Sequence, residues 1–282
     1  MAVPRFIRSW GIQGNQPGQF NNPAGLAYHP LGHLYVADRF NNRLQIFETD
    51  GTPLGPPIGG FQLPFGIAVD ANLVYITNGF PGPNQLMSLP LAGGVPVPWA
   101  TTGAYPGAAA TDGQGNVFVT LPIPPLPNVP PFPRLPIRVQ VFNSGKLVGA
   151  WGPSGSAPGQ LSAPVGIAYF QGHLYVADTE NNRVQVFTPQ GRFVRGWGTL
   201  GQGNGQLAGP SGIAVDPVKN LVYVLDTGNR RVQVFTPQGV FQGVFNGIVP
   251  LPQNVIQLVG IALSPDAFFV TNSSSVQSYT LF

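Results

Sequence analysis

Residues 212–239 read GIAVDPVKNLVYVLDTGNRRVQVFTPQG, and this stretch decides the fold. "GIAV" is a short apolar strand and "DPVKN" a turn. "LVYVLD" is a second strand, "TGN" a turn, "RVQVF" an alternating third strand, and "TPQG" a further turn before "VFQGVF". Val, Ile, Tyr and Phe fill the strands, while Gly, Pro, Asn and Asp mark the turns. No segment of ten residues or more carries helical periodicity.

The same phrase recurs along the chain. "PAGLAY", "PFGIAV", "PGAAAT", "PVGIAY", "PSGIAV" and "LVGIAL" set Gly25, Gly66, Gly107, Gly166, Gly212 and Gly260 at intervals of 41 to 59 residues. Four short strands repeated six times at such spacing predict an all-β fold, a six-bladed β-propeller of four-stranded antiparallel blades. Unit six stops after three strands, at "FFVTNSSSVQSYTLF", whereas the chain begins with "RFIRSWG", a near copy of "RFVRGWG" at 192–198. Residues 5–10 are therefore expected to supply the outermost strand of the last blade and close the ring. Residues 1–282 then form a single domain.

The quoted unit resembles the NHL repeat, and the likeness is strongest in units one, four and five. The resemblance implies a six-bladed ring. It leaves activity open, because NHL-type propellers serve as lyases, sensors, RNA-binding domains and interaction modules.

Composition narrows the choice. Only 8% of the 282 residues are Asp, Glu, Lys or Arg, and the 13 positive groups are almost balanced by 10 negative ones. A net charge of +3 without a Lys/Arg run is not a polyelectrolyte, so nucleic acid is disfavoured as a partner. Such a surface does little to keep molecules apart, which favours association with protein, copies of itself included. With no cysteine, disulfides and thiolate sites are excluded. No apolar run approaches a membrane span. The start "MAVPRFIRSWG" has no leader-like pattern, whereas the scarcity of charge favours an extracellular or surface setting.

Three units share an Asp and an Arg around the second turn: "ADRFNNRLQIF" (37–47), "ADTENNRVQVF" (177–187) and "LDTGNRRVQVF" (225–235). Asp38, Asp178 and Asp226 are expected to cap that turn, taking the amide two residues on. Arg43, Arg183 and Arg231 open the next strand. The functional alternative is a ring of guanidinium groups receiving an anion or a partner carboxylate. Asn78, Thr120 and Asn272 are assigned to the Asp position in units two, three and six. Linkers of the frame G-x-x-G-x-x-x-G-Q-[LF]-x-x-P (11–23, 152–164 and 198–210) share this face. Lacking a following helix and a Lys-Ser/Thr pair, they are not phosphate loops. Phe20, Leu161 and Leu207 are expected to plug the gaps between blades.

"PIPPLPNVPPFPRLP" (122–136) interrupts unit three. A segment so rich in proline cannot join a sheet ladder and is stiff, reaching on the order of 45 Å if extended. Either it folds over the ring, or it docks on a partner through Pro125, Leu126, Val129, Phe132 and Arg134.

Catalytic signals are sparse. His33 and His173 occupy equivalent turns of different blades and cannot share a metal with one another, and the His, Tyr and Arg constellation of the NHL-related amidating lyases is not matched. No cofactor is expected. Asp70, Asp112 and Asp216, beside His29 at the other mouth, cap turns or, as the alternative for a lyase or ligand-binding enzyme, hold calcium. RNA binding would draw on Arg39, Arg43, Arg134, Arg138, Arg183, Arg230 and Arg231 with Phe40 and Phe132 as stacking platforms. The reading that fits best is a non-enzymatic interaction scaffold.

Overall fold

In a computed structural model, residues 4–79, 84–102, 105–122, 137–246 and 260–282 are described. Six antiparallel sheets stand around a central axis. Their innermost strands are Pro23–His29, Ile67–Val69, Ala109–Thr111, Pro164–Phe170, Pro210–Asp216 and Ile261–Leu263. Each touches the next in chain order, and the last touches the first. Five sheets have four strands. In blade one the outermost strand is reduced to two antiparallel bridges, Phe47 with Pro53 and Leu44 with Ile58.

The sixth blade closes as expected: Phe6–Trp10 pairs antiparallel with Val276–Thr280, Phe6 opposite Tyr279 and Trp10 opposite Val276. Alternation builds the core. Each blade carries a row of apolar residues on both faces, so the core lies between blades. Tyr35, Tyr175, Tyr223, Phe118 and Phe269 are at most 2% exposed. Trp10, Trp151 and Trp197, each near the end of an outermost strand, lean on Phe47, Phe187 and Phe235 of the following blade. Phe20, Leu161 and Leu207 of the linkers are fully buried in the same seams.

The glycine that marks each repeat has a reason other than a special turn. A Cβ at Gly25 would stand 2.2 Å from the Phe65 carbonyl oxygen, at Gly166 2.4 Å from that of Ser211, and at Gly260 2.4 Å from that of Ala24. These are the points at which neighbouring inner strands meet, and Gly25 N donates to the Phe65 carbonyl at 2.8 Å. Any side chain there wedges two blades apart. Gly166→Ala is expected to lower stability by about 1–3 kcal/mol, the range of overpacking in a closed core. Gly149→Ala, whose Cβ meets Val141 only at an ordinary 3.7 Å, is the control; equal melting temperatures for the two variants would refute the argument.

Candidate functional site

The face carrying the linkers and the turns between second and third strands gathers the charged residues singled out from sequence. Asp38, Asp178 and Asp226 are fully buried. Each binds an amide of the linker preceding its own blade: Asn21 at 2.8 Å, Ser162 at 2.7 Å and Ala208 at 2.7 Å. The expected bond to the amide two residues on is replaced by one to a residue 16 to 18 positions upstream. The carboxylate thus clamps linker to turn. Its other oxygen takes Nε of Arg43 (2.6 Å), Arg183 (2.8 Å) or Arg231 (2.7 Å).

The guanidinium groups reach on to linker carbonyls. Arg43 donates to Asn15, Gln16 and Gln19, Arg231 to Gln202, Gly203 and Gln206, and Arg183 to Ala157 and Gln160. An arginine has five N–H donors, so Arg43 and Arg231 have at most one left for a ligand. Two further positions complete the clamp. Asn41, Asn181 and Asn229 donate to both the Asp and a linker carbonyl. Gln45, Gln185 and Gln233 bind the same carboxylate and receive the amides of Gly18, Gly159 and Gly205. The spacing D-x-x-N-x-R-x-Q is present in all three units and was the signal for them.

The other three blades use a different device. Thr120 pairs with Val139, one place short of the Asp position; Leu121, whose amide binds the Arg138 carbonyl, occupies that place instead. Thr120 therefore aligns with Thr77 and Thr271. Their hydroxyls donate across the seam to carbonyls of the next inner strand, at Val165 (2.9 Å), Gly107 (2.7 Å) and Ala24 (2.8 Å). Asn78 and Asn272 do hold the Asp place, accepting the amides of Gln62 and Ser275.

Three described segments in the chain match the family model of the NHL repeat: residues 20–47, 161–187 and 207–235. These are blades one, four and five, the three that carry the clamp. The chain is an NHL-repeat propeller. Among curated proteins, 44 residues are 45% identical to protein wech of Drosophila melanogaster, covering 16% of this chain and 5% of that protein. The match spans about a twentieth of the relative's length. Among solved structures, a structural genomics protein of Bacteroides thetaiotaomicron VPI-5482 superposes with a TM-score of 0.74 at 14% identity, over 99% of this chain and 75% of the other. A gluconolactonase of Xanthomonas campestris superposes at 0.69 and 18%, over 100% and 98%. At such identity the likeness is one of fold.

The central channel of this NHL propeller is narrow. The space is about 80 Å³, bounded by inner-strand glycine backbone, Leu26, Ile67 and Ile213, with Ala24, Phe65 and Val165 packed together. That holds a few waters, whereas small-molecule pockets run to about 300–1,000 Å³. Over its rim lies Arg39, whose guanidinium stacks 5.5 Å from the Phe65 ring and 5.4 Å from Phe40. Its Nη2 donates to the Tyr105 hydroxyl at 2.9 Å, and its buried Nε has no partner.

At the opposite mouth the acids are engaged in their own turns. Asp70 accepts the amides of Asn72 and Leu73 and the Tyr75 hydroxyl. Asp112 accepts the amides of Gln114 and Asn116, and Asp216 those of Val218 and Lys219. Among the described residues, no three His, Asp or Glu side chains gather as metal ligands. Burial pushes the Tyr223 and Tyr279 hydroxyls up to about 12, far from acid–base work near neutrality.

His29, opposite His33 in the first hairpin of blade one, is held below the usual imidazole value of 6.5, first by burial and then by His33, with Asp70 opposing. Its Nδ1 accepts the Leu31 amide, which needs the neutral ring. The unfolded chain therefore takes up the proton first as pH falls. Stability is expected to be flat above pH 6.5 and to decline below it. His29→Gln should remove that slope; an unchanged slope in urea titrations across pH 5–8 would refute it.

Pro125, Leu126, Val129, Phe132 and Arg134 of the proline-rich segment lie outside the described residues. No helix among the described residues is long and apolar enough to cross a membrane.

Proposed function

We propose that this NHL propeller is a non-catalytic scaffold for protein–protein interaction, copies of itself being among the candidate partners. One observation carries the reading: polar chemistry on the linker face is spent on holding the ring together. Three carboxylates, three arginines, three asparagines and three glutamines bind linkers, and the channel is small and walled by strand backbone and aliphatic side chains. What the ring offers is surface. That surface carries little charge to hold other molecules off, and Ile12, Leu31, Leu147 and Val148 are exposed on it. The proline-rich segment at 122–136 is assigned as the connector, with Leu126, Val129 and Phe132 as anchors. Light-scattering mass and electron micrographs test this for the full chain and for a version with 122–136 replaced by Gly-Ser. Oligomers or fibres that revert to 29.8 kDa in the replacement support the connector; assemblies unaffected by the replacement count against it.

A second reading rests on Arg39. An arginine without an ion-pair partner among the described residues, stacked at the rim with one buried donor free, suits a carboxylate ligand. The solved neighbours include enzymes, the gluconolactonase and a streptogramin B lyase at a TM-score of 0.60, so this reading extends to a lyase or lactonase acting at that rim. Carboxylate binding measured by calorimetry and lost in Arg39→Met would favour it over the scaffold.

A further inference from the structure

The outermost strands of blades six, four and three carry the related phrases "RFIRSWG" (5–11), "RFVRGWG" (192–198) and "KLVGAWG" (146–152). In the first two the central arginine crosses the seam. Arg8 Nη1 donates to the Asp50 carbonyl at 3.0 Å, and Arg195 Nε to the Pro237 carbonyl at 2.9 Å. Both acceptors lie in the turn that follows the third strand of the next blade. In blade three the same register, opposite Val141, is held by Gly149.

The receiving turn has not changed with it. Blade four presents "TPQG" (188–191), identical to the "TPQG" (236–239) that receives Arg195. The acceptor turn is kept while the donor is missing, and Phe118 stands in the row where Tyr175 bonds Arg195. What stands there is a groove of about 360 Å³, bounded by Phe118, Val141, Trp151, Pro189 and Gln190. At the junction of blades six and one, where Arg8 is in place, the corresponding space is about 280 Å³. Among the described residues, no side chain donates to the Pro189 carbonyl. The groove opens on the face opposite the linkers, beside Leu147 and Val148, which are 54% and 60% exposed, on a sheet edge with no further strand.

We infer that this groove between blades three and four is a binding site for an arginine side chain presented by another polypeptide. The chain itself shows twice a guanidinium reaching a turn carbonyl across such a seam, from the half-buried Arg195 beside the Tyr175 hydroxyl and from the exposed Arg8. A planar, weakly hydrated guanidinium suits those walls better than a compact ammonium. Leu147 and Val148 supply apolar contact for the residues flanking the incoming arginine. The groove is bounded by residues outside 122–136, and the inference does not depend on that segment.

Gly149 makes the test direct. Its backbone is in an ordinary strand conformation and an added Cβ meets only Val141, at 3.7 Å. Gly149→Arg should therefore place its own side chain in the groove and raise the melting temperature by about 2 °C or more, against Gly149→Ala as the control for strand propensity. N-acetyl-arginine methylamide titrated into the wild-type protein should shift the Trp151 indole resonance, with affinity on the order of millimolar. The citrulline analogue, equal in shape and uncharged, should not, and Gly149→Arg should abolish the shift. Equal shifts with citrulline, arginine shifts that persist in Gly149→Arg, or no shift in the wild type would each overturn the assignment. The wild-type titration decides alone if the arginine variant fails to fold.

Discussion

Asp226→Ala is expected to be the most damaging single truncation on the linker face, costing about 3–5 kcal/mol and on the order of 10 °C in melting temperature. The carboxylate is fully buried and accepts from Ala208, Asn229, Arg231 and Gln233. Its partner Arg231 has a side chain only 8% exposed, against 12% for Arg43 and 19% for Arg183. Removing the acid leaves a cation that water reaches poorly, and the penalty follows that access. The cost should therefore fall from Asp226 to Asp38 to Asp178. Asp226→Ala/Arg231→Met, which removes both charges, should lose less than the two single variants combined, a coupling that a double-mutant cycle reads directly. Hydrogen exchange should quicken first in the 198–210 linker, whose carbonyls lose their donor in the Arg231 variant. Equal losses at all three aspartates, or additivity within the cycle, would remove the clamp from the account.

The clamp also shows what the chain disclosed before it was folded. The period was plain because "GIAV"-like strands recur with their glycine, and turn residues punctuate them. The reason for the glycine was not, since contact between Gly166 and Ser211 is made across a blade seam. Likewise the Asp and Arg could be placed on a turn by local chemistry, but a bond from Asp38 to an amide 17 residues upstream is set by ring closure. Short-range rules do not reach it. Thr120 was misplaced by one residue because a strand shows only alternation, and register comes from the partner strand. Gly149 stood in plain view within "KLVGAWG". It acquired meaning only beside Arg8 and Arg195, whose acceptors are 42 residues away in the chain.

Scarcity of charge takes on a structural sense here as well. Asp38, Asp178 and Asp226 are buried in ion pairs that join linkers to turns, while Asp70, Asp112 and Asp216 hold turns at the other mouth. Six of the acidic groups thus serve the ring itself. The exposed charges that remain, Arg5, Lys146, Arg192, Lys219 and Arg230 among them, are spread between neutral polar and apolar side chains.

Deleting residues 1–10 should exceed even the loss at Asp226. The segment contributes the outer strand of blade six, so its removal breaks the pairing of Phe6 with Tyr279 and takes Trp10 from between Phe47 and Phe269. Removing a fully buried tryptophan costs about 3–5 kcal/mol; the partly buried Trp10 contributes a share of that, and the Arg8 bond to Asp50 is lost with it. The exposed edge of Val276–Thr280 then offers unpaired backbone groups to other chains. Light scattering should rise as the melting temperature falls by more than 10 °C, on the order expected from those losses. A permuted chain separates the loss of the strand from the loss of the termini. Residues 5–10 joined after Phe282 through about eight flexible Gly-Ser residues would re-enter the same register, since the Arg5 amide already meets the Thr280 hydroxyl at 2.8 Å. That permutant, beginning at Gly11, should recover most of the stability and the scattering mass of the full chain. If it melts with the deletion instead, the continuity of the chain through Trp10 into the first linker holds the ring shut, and strand pairing does not.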